Sequence, residues 1–264
     1  MKAIILAAGL GSRLLPLTKD KPKCLVEFSG KTLLDRLLKT FKICGVNDIV
    51  LVIGHKSERI NNVDLNLVKN EKYSKTGIMH SLFCAREKLE KTVIISYGDI
   101  IFENSVLEKL LESKYDITAV VDKKWKRYWK LRTDKPLSDV ESLLMDEKNF
   151  ITNIGEKNLK DFDKICGQFI GLIMFQNKGL NDLKDFFRKI FYEASKESNP
   201  LNPNVPFEQS TLTNFLQGMI MNGHKIKAVP IENGWLEFDT VKDLEIYNKM
   251  LTNNTLSDFI NIQD

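Results

Sequence analysis

The sequence predicts an α/β protein with a mostly parallel, doubly wound sheet and a small mixed β region in its second half. Two observations come from patterning: short apolar runs alternate with helical periodicity through the first half, and the alternation weakens after a predicted strand at Ile117–Val121. A third is composition, because 43% of the 264 residues are hydrophobic whereas Gly and Pro number only 14 and 7. With no internal repeat or linker-like stretch, we predict one continuous domain over residues 1–264.

The first half alternates strands with helices. Three short aliphatic runs end at glycine-containing turns, which is typical of buried parallel strands; they are Lys2–Ala8, Asp48–Ile53 and Thr92–Ser96. Three segments have the periodicity of helices: Thr32–Cys44, Ile78–Leu89 and Ser105–Leu111. Gly45 directly follows the first of these helical segments and is a stop signal for it.

The second half is mixed. Residues Ser138–Ile154 alternate in the manner of half-buried strands, which predicts a hairpin that turns near Glu147–Asn149. Two further strands are predicted at Cys166–Phe175 and Trp235–Phe238, and helices at Asp182–Ala194, Thr211–Met221 and Val241–Leu251. Ser195–Phe207 holds three of the seven prolines and is predicted to be a loop.

Charge and cysteine content exclude several classes of protein. Lys and Arg total 39 against 35 Asp and Glu, and this net charge of +4 is spread along the chain, so no basic face for duplex nucleic acid is expected. No C-x-x-C spacing occurs, which favours reduced thiols over a disulfide framework or a zinc site at Cys24, Cys44, Cys84 and Cys166. No stretch approaches the ~18 apolar residues of a membrane span, and we predict a cytoplasmic protein.

The most informative segment follows the first predicted strand and reads Leu6-Ala7-Ala8-Gly9-Leu10-Gly11-Ser12-Arg13. Two glycines after a buried strand allow the backbone to approach a ligand and point N–H groups at its phosphates, while Arg13 adds a permanently charged fork. This pattern is typical of a nucleoside triphosphate site. It is neither G-x-G-x-x-G, since Leu14 replaces the third glycine, nor a P-loop. The alternative is that these glycines only form a tight turn.

Residues Leu6–Thr18, followed by Pro22-Lys23, resemble the signature L-A-A-G-x-G-x-R-L-x-P-L-T…P-K of the nucleotidyltransferase family, which joins a nucleoside triphosphate to a phosphorylated acceptor. Similarity extends over nearly the whole chain, through Asn70–Leu82, Ser96–Asp99, Gly167–Gly171 and Trp235–Asp239. It is greatest to small cytidylyltransferases that activate phosphocholine or phosphorylated amino compounds. The stretch Lys72–Ala85 resembles a branch that acts on phosphoglutamine in capsule phosphoramidate synthesis.

The resemblance implies a nucleotide-diphospho-sugar transferase-like fold, CTP as the nucleotide, and Mg²⁺ as cofactor. Together with the glycine segment it predicts a nucleotide site formed by Leu6, Ala7, Ala8, Gly9, Gly11, Ser12, Arg13, Gly77, Ser81 and Gly98. The sequence itself shows no residue whose contacts with a base edge can be argued, so the choice of cytosine rests on the resemblance.

Acidic residues at strand ends are candidate metal ligands. Asp99 follows the predicted strand Thr92–Ser96, at the edge where ligands of open α/β sheets bind. Glu237 and Asp239 are two residues apart in an extended segment, so both project from one face. Isolated aspartates at strand ends are usually caps or turns; the resemblance implies instead that these three carboxylates hold Mg²⁺, a cation that prefers oxygen ligands.

The predicted catalytic residues are cations rather than a histidine base. A phosphate monoester has a second pKa near 6, so the acceptor is already a dianionic nucleophile at neutral pH. The reaction then needs cancellation of charge on the α-phosphate and the departing pyrophosphate, which we assign to Mg²⁺, Arg13 and Lys23. Lys123 is predicted to neutralise the acceptor or the α-phosphate; alternatively it is a solvated loop lysine.

The cluster Lys123–Lys130 has three interpretations: a solvated amphipathic turn, an aromatic wall for a quaternary ammonium, or a cationic rim for an acidic acceptor. Five positive charges in eight residues would repel choline, which favours an acceptor such as phosphoglutamine. The predicted acceptor-binding residues are Lys123, Trp125, Arg127, Trp129, Gln168 and Trp235.

The sequence therefore predicts a cytidylyltransferase that uses Mg²⁺, CTP and a small phosphorylated acceptor and releases pyrophosphate. A sugar-1-phosphate nucleotidyltransferase is the alternative enzyme, although it normally carries a longer acceptor domain or C-terminal extension. A non-catalytic nucleotide-binding module is the alternative of another class. Presence of Arg13, Lys23, Asp99 and Asp239 together argues against that module.

Overall fold

The computed structural model describes residues 1–61, 65–133, 140–156, 162–196 and 198–262. Within these ranges the strands are β1 Lys2–Ala7, β2 Glu27–Phe28, β3 Lys31–Thr32, β4 Asp48–Ile53, β5 Asn66–Lys69, β6 Val93–Tyr97, β7 Ile100–Phe102, β8 Ile117–Asp122, β9 Leu143–Met145, β10 Phe150–Ile154, β11 Gln168–Phe175, β12 Ile226–Ile231 and β13 Trp235–Glu237. The helices are α1 Leu33–Ile43, α2 Ile78–Cys84, α3 Asn104–Leu111, α4 Trp125–Arg132, α5 Asn177–Ala194, α6 Leu212–Met221 and α7 Val241–Thr252.

Nine strands form the central sheet in the order β5-β4-β1-β6-β11-β8-β12-β10-β9. The pairs β5-β4, β4-β1, β1-β6 and β12-β8 are parallel, whereas β11 and β10 run against their neighbours. Seven of the nine strands thus share one direction. The predicted fold class, a mostly parallel sheet with a mixed region, is confirmed. Two small antiparallel pairs, β13-β7 and β2-β3, lie outside this sheet in the described residues.

Apolar side chains alternate between the two faces of the sheet and build a core on each. In β1, for example, Ile5 belongs to the core that includes side chains of α1, α3 and α4, while Ile4 belongs to the core that includes side chains of α2, α5 and α6. This period-2 alternation is what a strand buried on both faces requires. Both isoleucines are fully buried, so β1 is rigidly held up to the point where the glycine segment begins.

Most predicted elements agree with the structure to within one to three residues, and the differences have local causes. The helix predicted from Asp182 begins at Asn177, which is one turn earlier, because the apolar stripe extends back to Leu180. The helix predicted over Ile78–Leu89 ends at Cys84 and continues as a short 3-10 turn. The predicted hairpin turns at Asn149, which has a positive φ of 57°; its first two residues, 138 and 139, lie outside the described ranges.

The sequence did not predict α4 as a helix, because its charges obscure the apolar positions. Trp125, Tyr128 and Trp129 are buried on one side of α4, and its lysines face outward. The aromatic spacing of three and four residues is that of an amphipathic helix. None of the described helices combines the length and apolarity that crossing a bilayer demands.

Candidate active site

Two cavities meet at the carboxyl ends of β1 and β6. The first, here the glycine-loop cavity, has a volume of about 580 Å³ and is lined by Leu6, Ala7, Ala8, Gly9, Lys23, Cys24, Tyr73, Thr76, Gly77, Ile78, Ser81, Gly98 and Asp99. The second, here the aromatic cavity, has a volume of about 990 Å³ and is lined by Arg13, Ile78, Tyr97, Asp99, Trp129, Glu141, Gln168, Phe169, Ile170, Thr211, Thr213, Trp235, Glu237 and Asp239. Asp99 and Ile78 belong to both. This is the edge at which ligands of open α/β sheets bind.

The two glycines of the predicted phosphate segment have different roles. Gly11 has φ +63°, and a Cβ there would lie 3.0 Å from Thr18 Cγ2, so this glycine is required by the turn itself. Thr18 Oγ1 closes the turn by donating to the Gly11 carbonyl at 2.8 Å. Gly9, in contrast, has no atom within 4 Å of the place that a Cβ would occupy. Neither the backbone nor the packing demands glycine at position 9, so its bare backbone is available to a ligand.

A buried asparagine shapes the opposite wall of the glycine-loop cavity. Asn70 is completely buried, and its side-chain amide donates to Thr76 Oγ1 at 2.9 Å and to Ser81 Oγ at 3.0 Å. Its Oδ1 accepts from the Lys72 N–H at 3.0 Å. These bonds fix the loop between β5 and α2. Because the loop carries Tyr73 and Gly77, Asn70 places both residues at the cavity.

Asp99 and Asp239 converge although 140 positions separate them. Strand β7, which follows Asp99, pairs antiparallel with β13, which precedes Asp239. The Phe238 N–H then donates to the Asp99 carbonyl at 2.9 Å and extends the pairing by one residue. The register of this two-stranded ladder is therefore what brings the two carboxylates to the junction of the cavities.

Two cations contact these carboxylates, and one of them lies between the pair. Lys23 Nζ lies 2.6 Å from Asp99 Oδ2 and 2.9 Å from Asp239 Oδ1. Arg13 Nη1 pairs with Asp239 Oδ2, while its side chain remains 63% exposed. Burial alone would lower the pKa of Lys23, but the two aspartates outweigh it and hold the pKa above its usual value. Lys23 is thus charged at physiological pH.

The carboxylate pair fits a hard divalent cation. Asp99 Oδ1 is buried and has no hydrogen-bond partner among the described residues, and a buried carboxylate oxygen without a partner is costly unless a ligand satisfies it. One or two carboxylates, with water and phosphate oxygens, are the usual protein ligands of Mg²⁺. Among the described residues, no group of three or more acidic, His or Cys side chains is arranged to hold a metal ion, so the fit is to two protein ligands, Asp99 and Asp239.

Glu237, the third predicted ligand, is committed elsewhere. Its Oε2 pairs with Arg132 Nη1, and the same guanidinium holds Asp243 through Nε to Oδ1 at 2.8 Å. Burial raises the pKa of Glu237, Arg132 opposes that shift, and the neighbouring Asp99 and Asp239 add to it. Burial also pushes the pKa of Asp243 upward, but hydrogen bonds and charge from Arg132 reverse the direction and lower it. The structure therefore places Glu237 beside the predicted metal position, where Arg132 balances its charge.

The aromatic cavity has a neutral acceptor group in Gln168. The Gln168 side chain is buried, and its Nε2 donates to the backbone carbonyls of Glu141 at 2.6 Å and Gly167 at 3.3 Å. Because both partners are acceptors, the amide orientation is fixed. Within the described part of the chain, Gln168 Oε1 has no hydrogen-bond partner, so it remains available to a donor in the cavity that Gln168 lines.

Four aromatic rings complete the walls of this cavity: Tyr97, Trp129, Phe169 and Trp235. Trp235 is fixed by its indole N–H, which donates to the buried Asp122 Oδ2 at 3.0 Å. Of the six residues predicted to bind the acceptor, Trp129, Gln168 and Trp235 line the cavity.

The other three, Lys123, Trp125 and Arg127, line neither cavity. Lys123 is exposed at the end of β8, which lies two strands away from β6 in the sheet. Trp125 is 1% exposed and belongs to the core. Arg127 lies over the Phe259 ring and pairs with Asp258 Oδ2 at 2.7 Å. A helix that buries its aromatic face must turn these cations outward, which sequence spacing alone did not reveal.

The predicted cationic rim is largely neutralised. Besides Arg127, Lys124 lies 3.7 Å from a Glu232 carboxylate oxygen and Lys126 lies 2.9 Å from an Asp163 oxygen. The solvated amphipathic interpretation therefore describes the cations of α4, and their number is no argument against a positively charged acceptor.

Of the ten predicted nucleotide residues, seven line the glycine-loop cavity: Leu6, Ala7, Ala8, Gly9, Gly77, Ser81 and Gly98. Arg13 lines the aromatic cavity instead, whereas Gly11 and Ser12 line neither and form the turn between them. Sequence reasoning missed Tyr73, Thr76, Tyr97, Thr211 and Thr213. The sequence pointed to only some of these residues: Tyr73 lies in the segment Asn70–Leu82, which resembles the family, and Tyr97 directly precedes Gly98-Asp99.

The sequence is similar to those of known NTP transferases. The model of the MobA-like NTP transferase domain matches residues 3–154. CTP:phosphoglutamine cytidylyltransferase of Campylobacter jejuni subsp. jejuni serotype O:2 is 37% identical over 257 residues, which cover 93% of this chain and 98% of that protein.

Solved structures show the same fold. A CTP:phosphocholine cytidylyltransferase from Streptococcus pneumoniae superposes with a TM-score of 0.74 at 22% identity, covering 95% of this chain and 98% of that one. An inositol-1-phosphate CTP transferase from T. maritima gives a TM-score of 0.68 at 24% identity over 99% and 98% of the two chains. The predicted family is confirmed: the chain belongs to the MobA-like NTP transferases.

Proposed function

We propose that the protein transfers CMP from CTP to a small phosphorylated acceptor and releases pyrophosphate. One observation carries the proposal: a backbone-lined cavity and an aromatic-lined cavity share Asp99, which faces Asp239 across Lys23. Two substrates seated in these cavities bring their phosphates to one place. Support from relatedness comes from the Campylobacter jejuni cytidylyltransferase, to which the resemblance is nearly full-length.

The reaction is an in-line displacement at the α-phosphorus of CTP. An acceptor phosphate oxygen forms a bond to that phosphorus, the bond to the bridging oxygen of the β-phosphate breaks, and pyrophosphate leaves with its electron pair. The acceptor dianion needs no base. The protein must bring two anions together, and that placement supplies a large part of rate enhancement in phosphoryl chemistry.

Lys23 and Arg13 are the cations that this chain supplies. Both contact the carboxylates at the junction. When a substrate binds, their N–H donors can leave a carboxylate oxygen and bind a phosphate oxygen instead. Arg13, which is largely exposed, moves with little cost. The backbone at Gly9 adds N–H donors from a position that is open to the ligand. Together these groups neutralise charge that develops on the departing pyrophosphate.

Asp99 and Asp239 would hold Mg²⁺. When bound, the ion neutralises phosphate charge and polarises the α-phosphate toward attack. The unpartnered Asp99 Oδ1 supports this assignment. We do not extend it to Glu237, because Arg132 already balances that carboxylate.

We further propose a phosphorylated amino compound as the acceptor, with phosphoglutamine as the first candidate. Gln168 Oε1 accepts from an N–H of the acceptor, and the rings of Trp129 and Trp235 contact its carbon skeleton. Both features suit an amino compound, and neither depends on the α4 cations. The further expectations, a role in capsule phosphoramidate synthesis and a place in the cytoplasm, rest on the resemblance of Lys72–Ala85 and on the use of CTP.

A substrate matrix tests the proposal. Pyrophosphate release is measured for CTP, UTP, ATP and GTP against phosphoglutamine, phosphocholine, aminoethylphosphonate and glucose 1-phosphate, each with and without Mg²⁺. We expect release with CTP, an amino acceptor and Mg²⁺. Release only with glucose 1-phosphate would contradict the acceptor class, and equal release without a divalent ion would contradict the metal assignment.

A further inference from the structure

A buried ionic network lies directly behind the carboxylate junction and contains no residue predicted from the motifs except Glu237. Its centre is Arg132, the last residue of α4, whose side chain is 8% exposed. The guanidinium uses all three nitrogens: Nε and Nη2 donate to Asp243 Oδ1 and Oδ2 at 2.8 and 3.1 Å, and Nη1 pairs with Glu237. Such a bidentate fork fixes the plane of the Asp243 carboxylate.

The orientation of Asp243 in turn determines where Asp239 lies. Asp243 Oδ2 accepts from the backbone N–H of Asp239 at 3.1 Å and of Thr240 at 2.8 Å. The Thr240 hydroxyl accepts from the Asp243 N–H at 3.1 Å, which completes a capping box at the start of α7. Rotation of the Asp243 carboxylate would therefore release the backbone that carries Asp239.

The same arginine holds the strand that leads to Asp239. The Glu237 N–H donates to Tyr128 Oη at 2.7 Å, and Tyr247 Oη donates to the Glu237 carbonyl at 3.0 Å. The Arg132 guanidinium lies 5.3 Å from the Tyr128 ring centroid and 5.2 Å from that of Trp129. Trp129 is a wall of the aromatic cavity, so one buried side chain contacts both the acceptor wall and the support of Asp239.

We propose that Arg132 is a positioning residue, which sets the geometry of Asp239 through Asp243 and thereby the affinity of the carboxylate pair for its divalent cation. This inference rests on the proposed function of Asp99 and Asp239. Groups that orient metal ligands in this way typically contribute 10–100-fold to metal affinity or activity. Arg132→Lys keeps the positive charge but loses the planar guanidinium that binds Asp243 through two nitrogens. This variant therefore separates the effect of charge from the effect of geometry.

The test is binding of Mn²⁺, used as a spectroscopic probe, to the whole protein in the presence of CTP, measured by electron paramagnetic resonance. We expect Arg132→Lys to weaken Mn²⁺ binding about tenfold or more and to lower kcat in parallel, while the KM for CTP stays within about twofold. Asp243→Asn, which retains an acceptor oxygen for the cap, is the second variant and is expected to weaken Mn²⁺ binding in the same direction.

Lys126→Gln is the matched control, because it removes a cation from the same helix whose partner, Asp163, is exposed. Its Mn²⁺ affinity should equal that of the wild type. Equal affinities in wild type, Arg132→Lys and Asp243→Asn would overturn the role of Arg132 and leave the proposed function standing. If the wild type does not bind Mn²⁺, both the role of Arg132 and the assignment of Asp99 and Asp239 as metal ligands in the proposed function are overturned.

Discussion

The glycine-loop cavity and the aromatic cavity are built in opposite ways. The first uses the end of β1, the turns at Lys23-Cys24 and Gly98-Asp99, the loop before α2 and the start of α2, and many of its lining residues are small. The second gathers side chains from α4, β6, β11, β13 and the start of α6. Backbone presents the same N–H and C=O groups whatever the sequence, whereas a side-chain wall changes with every substitution. The first cavity therefore suits a ligand that relatives have in common, and the second determines which acceptor is used.

Asp99 belongs to both cavities, and its substitution should have the largest effect. Asp99→Asn removes one negative charge and the orphaned oxygen at the junction, so we expect kcat to fall about 10³-fold or more, equivalent to ~4 kcal/mol. The Lys23–Asp239 contact remains, so the fold should persist by circular dichroism. Asp185→Asn, at an exposed aspartate of α5, is the control. Near-normal turnover of Asp99→Asn would show that the two cavities do not share a reaction centre.

Lys23 lines only the glycine-loop cavity, so its loss should distinguish the two sides. Lys23→Gln retains a hydrogen-bond donor but loses the charge held between Asp99 and Asp239. We expect kcat/KM for CTP to fall about 10²-fold, or ~2.7 kcal/mol, with the KM for the acceptor nearly unchanged. Lys19→Gln, at an exposed lysine in the same segment, should behave as wild type. A main effect on the acceptor KM would mean that the cavities are assigned the wrong way round.

Gln168 provides the reciprocal test. Gln168→Leu removes Oε1 and should lower kcat/KM for an amino acceptor about 30-fold, or ~2 kcal/mol, without changing the KM for CTP. Gln176 follows the same strand, and its Nε2 also donates to two backbone carbonyls, those of Ser113 and Tyr115. Gln176→Leu therefore loses the same kind of bonds away from either cavity. An equal effect of both variants would reduce Gln168 to a structural residue.

The smallest expected effect concerns Cys24, which lines the glycine-loop cavity and is buried. Burial raises the pKa of its thiol to about 12, from a usual value near 9. A raised folded-state pKa means that stability is complete below the unfolded-state pKa and is lost as the pH rises from there toward 12. Between pH 8 and 10 the free energy of unfolding should fall by ~1.4 kcal/mol more in wild type than in Cys24→Ala. Identical pH dependence in urea titrations would contradict a buried, protonated thiol.

The sequence predicted one cavity much better than the other, for a physical reason. Leu6 to Gly9 are contiguous and lie at the end of a buried strand that the apolar pattern identifies, so local sequence determines that wall. The aromatic cavity depends on how α4 rotates about its axis. Five charges in Lys123–Lys130 hid the buried spacing of Trp125, Tyr128 and Trp129, and only the packed core decides which side chains turn inward.

The residue pattern alone also could not predict that Asp99 and Asp239 lie close together. Asp99 and Asp239 were candidates from their positions at strand ends and from the family resemblance. The β7-β13 register that joins them involves β7, a three-residue strand that the sequence did not predict. Arg132 could not be assigned, because its partners Asp243 and Glu237 lie more than 100 residues away. Hydrophobic patterning, in contrast, was enough to predict most of the helices and long strands. An amphipathic helix repeats its apolar residues every three to four positions, and a strand buried on both faces is a continuous apolar run.

Transfer of CMP to the acceptor is tested by identifying the product formed from CTP and phosphoglutamine. Mass spectrometry of the complete reaction with Mg²⁺, alongside a pyrophosphate assay, measures whether CMP becomes attached to the acceptor. We expect one CMP-linked acceptor for each pyrophosphate released, with both signals lost in Asp99→Asn and retained in Asp185→Asn. Pyrophosphate formed without a CMP-linked product, or an undiminished product yield in Asp99→Asn, would contradict CMP transfer at this site.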